Sequence, residues 1–188
     1  LYPDSDVPIV EPENIGDADT LGEKEQKTLE LVKAAIQNGE RALIYTSWVR
    51  TDSQQKLKKL LTDEGYRTEI LTDKIKTTDR EDWVQKKLAA GMQVLIVNPS
   101  LVETGLDLNA FTTLVFYSMG YKLFTLRQAS RRSWRINQKA PAVKVYMLYY
   151  EDTMQQKCLK LMASKLAVAG LIEGNFSEEG LAAMSDVQ

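Results

Sequence analysis

The sequence has no histidine and a single cysteine, Cys158, among its 188 residues. Without histidine, Ser-His and Cys-His catalysis are excluded, and one thiolate with carboxylates makes a poor set of zinc ligands. One cysteine cannot form an internal disulfide, and the leucine and lysine residues around Cys158 predict a small hydrophobe on a helix. We therefore expect no metal site within this chain.

Long hydrophobic runs are also absent. No stretch of about 18 uncharged apolar residues occurs, and no basic-then-apolar segment resembles a secretory signal. We therefore expect no association with a membrane. We expect an intracellular protein, located in the cytoplasm, with the nucleus as the alternative. The hydrophobic fraction of 44% and the charged fraction of 27% are typical of a globular domain. The length suits one well-buried domain with appendages.

The net charge of −2 conceals an uneven distribution of charge. Residues 1–25 carry eight acidic side chains and one cation, Lys24, whereas residues 122–144 carry seven cations and no acidic side chain. A basic block beside a core is expected for phosphate binding even when the overall pI is acidic. Residues 1–20, with three prolines among their acids, are predicted to be an extended linker or arm.

Strand-length apolar runs alternate with amphipathic helices over residues 21–172, which we predict to be one domain. The predicted strands are residues 41–46, 66–71, 94–97, 113–117 and 143–148. The connections are too long for hairpins, so the alternation predicts an α/β fold with a mainly parallel sheet and helices on both faces. Residues 173–188 are predicted to be a tail or a short helix.

The sequence also predicts where several helices begin and end. Three helix ends are expected at glycine signals, namely Asn38-Gly39, Gly65 and Gly91. Thr78 and Glu81 have the spacing of a capping box, which predicts the start of a helix. Thr153 with Gln156 predicts the start of the last helix. Two methionines of this last helix are expected in the core, Met154 and Met162.

Polar residues follow the predicted strands, at Thr46-Ser47, Thr72-Asp73-Lys74, Asn98-Pro99-Ser100 and Ser118. In parallel sheets, ligands bind outside the carboxyl ends of the strands, so these positions are candidates for a binding site. Beyond the third strand, Gly105 permits close approach of the backbone to a ligand. Asp107 offers an acceptor for a ribose hydroxyl or a neighbouring cation. The same Gly-x-Asp pattern is also common in turns.

An arginine-rich stretch lies between the fourth and fifth predicted strands, Gln128-Ala-Ser-Arg-Arg-Ser-Trp-Arg-Ile-Asn-Gln138. In a helix, Gln128, Arg132 and Arg135 share one face, because they are spaced i, i+4 and i+7. Two adjacent guanidinium groups repel each other, so this face suits a polyanion. The alternative is an ordinary solvated helix face.

These segments together resemble the second, C-terminal RecA-like lobe of superfamily-two helicases and translocases, most closely of the Swi/Snf type. Residues 98–109 resemble the fifth motif of that family, residues 128–138 its sixth motif and residues 42–47 its fourth. The resemblance covers roughly residues 24–170 and departs from the family pattern at Trp134 and Asn137, where histidine and glycine are usual. It implies a three-layer RecA-like lobe.

The resemblance also implies a division of labour between two lobes. In this family the first lobe brings the phosphate loop and the magnesium motif, and this chain has no G-x-x-x-x-G-K-[ST] stretch. ATP and Mg²⁺ are therefore expected to be held mainly by an N-terminal lobe outside the chain. Without that lobe, this chain should hydrolyse little or no ATP. Arg132 and Arg135 are implied to be arginine fingers that reach the γ-phosphate.

The remaining site residues also follow from the resemblance. Gln128, Gly105 and Asp107 are implied to help bind the nucleotide. Ser47, Ser100 and Thr104 are implied to contact the backbone of DNA, with RNA as an alternative. Each of these three hydroxyl residues is equally suited to capping a turn.

Two other functions fit the same residues. A non-catalytic module that keeps the fold could use its basic face to bind nucleic acid or an acidic protein. A phosphate-loop sequence upstream of Leu1 would distinguish the helicase from this module. A nucleotide-binding α/β enzyme unrelated to helicases is disfavoured, because the glycine-rich fingerprint of such enzymes is missing.

Overall fold

The computed structural model of the chain describes residues 21–47, 53–102, 106–118 and 142–173, with side chains as far as residue 164. The described helices are α1 (Glu23–Gln37), α2 (Ser53–Asp63), α3 (Arg80–Ala89) and α4 (Met154–Glu173). The described strands are β1 (Ala42–Tyr45), β2 (Thr68–Leu71), β3 (Val94–Val97), β4 (Thr113–Phe116) and β5 (Lys144–Met147). Short 3-10 turns lie at Thr77–Asp79 and Pro99–Val102.

The five strands form one sheet in the order β2-β3-β1-β4-β5, and all neighbouring strands are parallel. Tyr45 pairs with Val97 and Phe116, Val97 pairs with Leu71, and Phe116 pairs with Met147. All five strands therefore end at the same level. The prediction of an α/β fold with a mainly parallel sheet is confirmed.

Alternate residues of the strands contribute to two separate hydrophobic clusters. One cluster includes Leu43 and Tyr45 of β1, Val84 of α3, and Cys158 and Met162 of α4. The other includes Ala42 and Ile44 of β1, Val32 of α1, and Leu57 and Leu61 of α2. The central strands are thus covered on both faces, which explains why Val94–Val97 is apolar at every position.

The glycine signals end helices as predicted, since α1, α2 and α3 stop within two residues of Gly39, Gly65 and Gly91. Gly39 and Gly65 have φ of 73° and 88°. This left-handed conformation is strained for a residue with a Cβ, so glycine suits both positions. At the start of α4, the Gln155 N–H donates to Thr153 Oγ1 over 3.2 Å, which confirms the predicted helix start.

The predicted capping box at Thr78 and Glu81 is wrong. A 3-10 turn precedes α3, so Asp79 is the residue before the helix and makes no side-chain capping bond. The Thr78 hydroxyl donates to Asp79 Oδ1 over 2.7 Å. The Glu81 carboxylate instead accepts the N–H of Asp107 over 2.9 Å, because the fold brings that distant donor to the start of α3.

The core prediction for α4 is half right. Cys158 and Met162 are buried, with 5% and 1% of their surface exposed, whereas Met154 is 63% exposed. Met154 and Leu161 lie seven residues apart on a face beside the buried one, and both side chains are exposed. The prediction for Met154 rested on its hydrophobic character alone. Met154 is the first residue of α4 and lies on the exposed face, so it does not enter the core.

Candidate functional site

The strand ends form the edge of the sheet where the candidate residues were expected. We call this the carboxyl edge, meaning the residues directly after β1–β5. Because the strands end in register, Ser47, Ser100 and Ser118 all emerge from the same edge. The topology therefore brings together three hydroxyl side chains from distant parts of the sequence.

Ser47 and Ser118 join the ends of β1 and β4. The Ser47 N–H donates to Ser118 Oγ over 2.8 Å, and the Ser47 hydroxyl donates to the Ser118 carbonyl oxygen over 3.3 Å. Both residues are half-buried. The Ser47 hydroxyl thus donates its hydrogen within the fold, and its lone pairs can accept only from a group that donates.

Thr46 lies directly before Ser47 and is fully buried. Its N–H donates to the Val97 carbonyl oxygen over 3.0 Å, but its Oγ1 has no hydrogen-bond partner within the described part of the chain. A buried hydroxyl without a partner destabilises a fold by about 1–3 kcal/mol. The Thr46 hydroxyl is therefore a buried polar group at the end of β1 that the described residues do not satisfy.

Ser100 is exposed in the 3-10 turn after β3. Its N–H and its hydroxyl both donate to Asn98 Oδ1, over 3.0 and 2.8 Å. This geometry is that of a side chain capping a turn, one of the two roles expected for Ser100. The turn presents Ser100 to solvent at the carboxyl edge, where a ligand can reach it.

Asp107 is half-buried and held by several hydrogen bonds. Its Oδ1 accepts the Asn109 N–H over 3.1 Å, and its Oδ2 accepts Asn109 Nδ2 over 3.2 Å. Its own N–H donates to Glu81 Oε2 over 2.9 Å. The carboxylate thus stabilises the turn toward β4 and has further lone pairs for a ribose hydroxyl or a cation.

Lys24 of α1 is a buried cation at the carboxyl edge, with 7% of its surface exposed. Its ammonium group donates to the carbonyl oxygens of Tyr117 and Leu148 over 3.2 and 3.0 Å, and to Gln155 Oε1 over 2.5 Å. The rings of Tyr150 and Tyr117 lie 4.8 and 5.8 Å from the nitrogen. We call these residues the Lys24 cluster. In the sequence, the only signal for it was a lone cation among eight acids.

Charge and burial shift the pKa values in the Lys24 cluster. Burial lowers the pKa of Lys24 to about 8, against the smaller raising effect of Glu25. The Tyr117 hydroxyl donates to Glu25 Oε1 over 2.7 Å, and burial with this contact raises the pKa of Tyr117. Burial and the charge of Glu25 also raise the pKa of Tyr150. Both phenols therefore stay protonated at neutral pH.

Several predicted site residues lie outside the described residues. These are Thr104, Gly105, Gln128, Arg132 and Arg135, together with Trp134 and Asn137. The arm predicted at residues 1–20 and most of the predicted tail also lie outside them. Their assigned roles stay predictions.

The described ranges contain neither a cluster of metal ligands nor a membrane-spanning helix. They hold no group of three or more His, Cys, Asp or Glu side chains that could bind a metal ion. None of the helices in these ranges is long and apolar enough to cross a membrane.

Residues 23–137 match the model of the helicase conserved C-terminal domain. The matched range includes all eight predicted site residues. Among curated proteins, the chain is 24% identical over 154 residues to the ATP-dependent helicase fft3 of Schizosaccharomyces pombe. It is 27% identical over 143 residues to the putative ATP-dependent helicase/translocase YwqA of Bacillus subtilis. It is also 25% identical over 160 residues to the chromatin-remodeling ATPase INO80 of Mycosarcoma maydis.

These alignments cover 81%, 76% and 84% of this chain, but 16%, 15% and 8% of the three relatives. The chain therefore spans a small part of the length of each relative. Among solved structures, the C-terminal part of the Fun30 ATPase domain is similar, with a TM-score of 0.67 and 19% sequence identity. That match covers 87% of this chain and 52% of the other chain, and it supports the RecA-like fold.

Proposed function

This chain belongs to the helicase conserved C-terminal domain family, and we propose that it is the second lobe of a two-lobe, Swi/Snf-like, ATP-dependent DNA helicase or translocase. The family match over residues 23–137 carries this proposal. The relatives named as ATP-dependent helicases support the ATPase class. The parallel sheet supports it as well, because Ser47 and Ser100 emerge at its carboxyl edge, where parallel sheets bind ligands.

In the proposed enzyme, ATP binds between this lobe and the first lobe. Arg132 and Arg135 reach across to the γ-phosphate and stabilise the charge that develops on it during transfer. Gln128 and Gly105 contact the nucleotide beside them, and Asp107 accepts from a ribose hydroxyl. The first lobe holds most of the ATP and its Mg²⁺, the ion that neutralises the phosphate oxygens.

The nucleic-acid backbone runs along the same edge in this proposal. Ser47, Ser100 and Thr104 donate hydrogen bonds to phosphate oxygens, which gives position on the strand without reading sequence. Ser100 is exposed, which supports this role, although donation to a phosphate replaces the hydrogen bond of its hydroxyl to Asn98 Oδ1. Ser47 is half-buried and its hydroxyl already donates to the Ser118 carbonyl oxygen, so donation to a phosphate replaces that hydrogen bond.

The arginine-finger role is tested in a two-lobe protein that carries this chain with its first lobe. Arg132→Ala and Arg135→Ala should each lower DNA-stimulated kcat by about 10³-fold or more, because each removes charge stabilisation from the transition state. Arg127→Ala is the matched control, since it removes an arginine from the same basic segment but outside the predicted face. ATPase is measured by phosphate release.

The 188-residue chain alone should release little or no phosphate under the same conditions, because it has no phosphate loop. DNA-stimulated ATPase by the chain alone contradicts the two-lobe proposal. Unchanged kcat in both arginine variants contradicts the assignment of the fingers.

A further inference from the structure

The first two residues of α3 both reach the segment that follows β3. Arg80 Nη1 donates to the Leu101 carbonyl oxygen over 2.9 Å. Glu81 Oε2 accepts the Asp107 N–H over 2.9 Å. Leu101 is the neighbour of Ser100, so one side chain holds the backbone beside Ser100 and the next holds the backbone of Asp107.

Arg80 is unusual because it is a charged side chain with only 9% of its surface exposed. Its Nε donates to the Ile75 carbonyl oxygen over 3.2 Å, in the segment after β2. Within the described ranges its hydrogen-bond partners are carbonyl oxygens, and no carboxylate pairs with it. Burying a guanidinium without a carboxylate is costly. An apolar side chain would avoid that cost but would leave two carbonyl groups without these donors.

Glu81 also departs from the role that its position predicts. A carboxylate in the first turn of a helix is favoured by the helix dipole and could cap the free N–H groups there. Glu81 instead accepts from Asp107, 26 positions along the chain. With both Asp107 oxygens accepting from Asn109, the backbone and the carboxylate of Asp107 are each held in one orientation.

We propose that Arg80 and Glu81 are positioning residues, which hold the segments carrying Ser100 and Asp107 in the orientation needed to contact DNA and nucleotide. This inference rests on the proposed function for those contacts. A site residue displaced by about 1 Å can lose about 10²-fold in rate, so two anchors close to Ser100 and Asp107 have direct consequences for function. Neither Arg80 nor Glu81 touches the ligands in this proposal.

The anchoring itself is tested in the 188-residue chain by amide hydrogen exchange measured by NMR. Glu81→Ala should speed exchange of the Asp107 amide about tenfold or more relative to the Ile96 amide of β3, because a charge-assisted hydrogen bond is lost. Glu81→Gln keeps an acceptor and should restore most of the protection. Asp82→Ala, an exposed acid next along α3, is the control. Unchanged Asp107 exchange in Glu81→Ala overturns the inference, whatever the function of the chain.

The functional consequence is tested in the two-lobe protein. Glu81→Ala should raise the KM for ATP about tenfold, because Asp107 is no longer oriented, with a smaller change in kcat. Arg80→Lys, which keeps the charge but cannot reach both carbonyl groups, should raise the DNA concentration for half-maximal stimulation about tenfold. Asp82→Ala should change neither constant, and Glu81→Gln should restore the KM.

Arg132→Ala, measured alongside, distinguishes failure of the positioning roles from failure of the proposed function. If Arg132→Ala abolishes ATPase while Glu81→Ala and Arg80→Lys leave both constants unchanged, the positioning roles are wrong and the proposed function stands. If Arg132→Ala leaves ATPase unchanged, the proposed arginine finger is wrong, and the exchange of the Asp107 amide still decides whether Glu81 anchors this segment.

Discussion

Lys24 is a buried cation whose hydrogen-bond partners all lie far away in the sequence. The Tyr117 and Leu148 carbonyl oxygens are 93 and 124 positions away, and Gln155 is 131 positions away. One ammonium group therefore joins the start of α1 to the ends of β4 and β5 and to α4. The charged form is stabilised by these acceptors and by the tyrosine rings, but burial disfavours it more strongly and lowers the pKa to about 8.

This lowered pKa predicts how stability depends on pH. The pKa is about 8 in the folded chain and 10.5 ordinarily, so between these values the unfolded chain binds the proton more strongly. The contribution of Lys24 to the free energy of unfolding should therefore increase as the pH rises through 8 toward 10.5. The free energy of unfolding of the wild-type chain, relative to that of Lys24→Met, should therefore increase by about 1–2 kcal/mol between pH 7 and pH 9.5.

The measurement is urea unfolding of both chains at pH 7, 8, 9 and 9.5. Glu25, Tyr117 and Tyr150 face Lys24 and are present in both proteins, so their own titration largely cancels in the comparison. Lys27→Met removes an exposed lysine one turn along α1 and should follow the wild-type profile. A wild-type advantage that stays constant or falls with pH would show that burial does not dominate at Lys24.

At the scale of elements, the edge strand β2 is tied to two helices by one carboxylate. Glu69 accepts from Lys58 of α2 over 3.1 Å and from Lys87 of α3. Burial raises the pKa of Glu69, but the hydrogen bonds from Lys87 and Lys58 outweigh burial, and the pKa is lowered overall. These residues line a cleft of about 380 Å³ that also includes Gly65 and Met92, away from the carboxyl edge.

Glu69→Gln should lower the free energy of unfolding by about 0.5–1 kcal/mol at pH 7, because two partly buried ion pairs lose their anion. A carboxylate with a lowered pKa stabilises the fold above its ordinary pKa of 4.5, and this contribution is lost as the pH falls through the folded value. The difference between variant and wild type should therefore shrink by pH 3.

Glu30→Gln is the matched control for this experiment. Glu30 pairs with Lys27 on one helix, and both side chains are more than half exposed, at 65% and 58%. Its loss should change the free energy of unfolding by only a few tenths of a kcal/mol. Urea unfolding at pH 7 and pH 3 checks both variants, and equal losses in Glu30→Gln and Glu69→Gln would refute the special role of Glu69.

At the scale of the whole molecule, charge is divided between segments. Residues 1–20 carry six acidic side chains and no basic ones, whereas residues 122–144 carry seven cations and no acids. From this opposite charge we predict that the arm competes with DNA for the basic residues 122–144. We expect this competition to be strongest in the chain without a first lobe.

Deletion of residues 1–20 should therefore strengthen the binding of duplex DNA several-fold at about 50 mM salt, as measured by fluorescence anisotropy. The gain should shrink at higher salt, because screening weakens both the arm contact and the DNA contact. A chain of full length with the six acids replaced by Asn or Gln distinguishes charge from bulk and should bind like the deletion variant. Weaker binding after deletion, at equal salt, would exclude competition by the arm.

The sequence by itself determined the strands and the glycine-terminated helix ends of the described chain. A strand such as Val94–Val97 is apolar at every position because helices cover both faces, and Gly39 and Gly65 end helices because their φ is positive. These signals are local, since each depends on residues within one element. Alternation of strands and helices then implied a parallel sheet, and a parallel sheet implied that Ser47 and Ser100 emerge at one edge.

Only the tertiary structure decided which side chains meet across that fold. Glu81 has the spacing of a capping residue, yet it bonds Asp107, and Lys24 looks like a solvated cation, yet it is buried between strand ends. Such partners depend on the strand order β2-β3-β1-β4-β5, which sets the loops that become neighbours. The hydrophobic pattern separates the apolar central strands from the edge strands β2 and β5, but it does not specify which strand lies beside which.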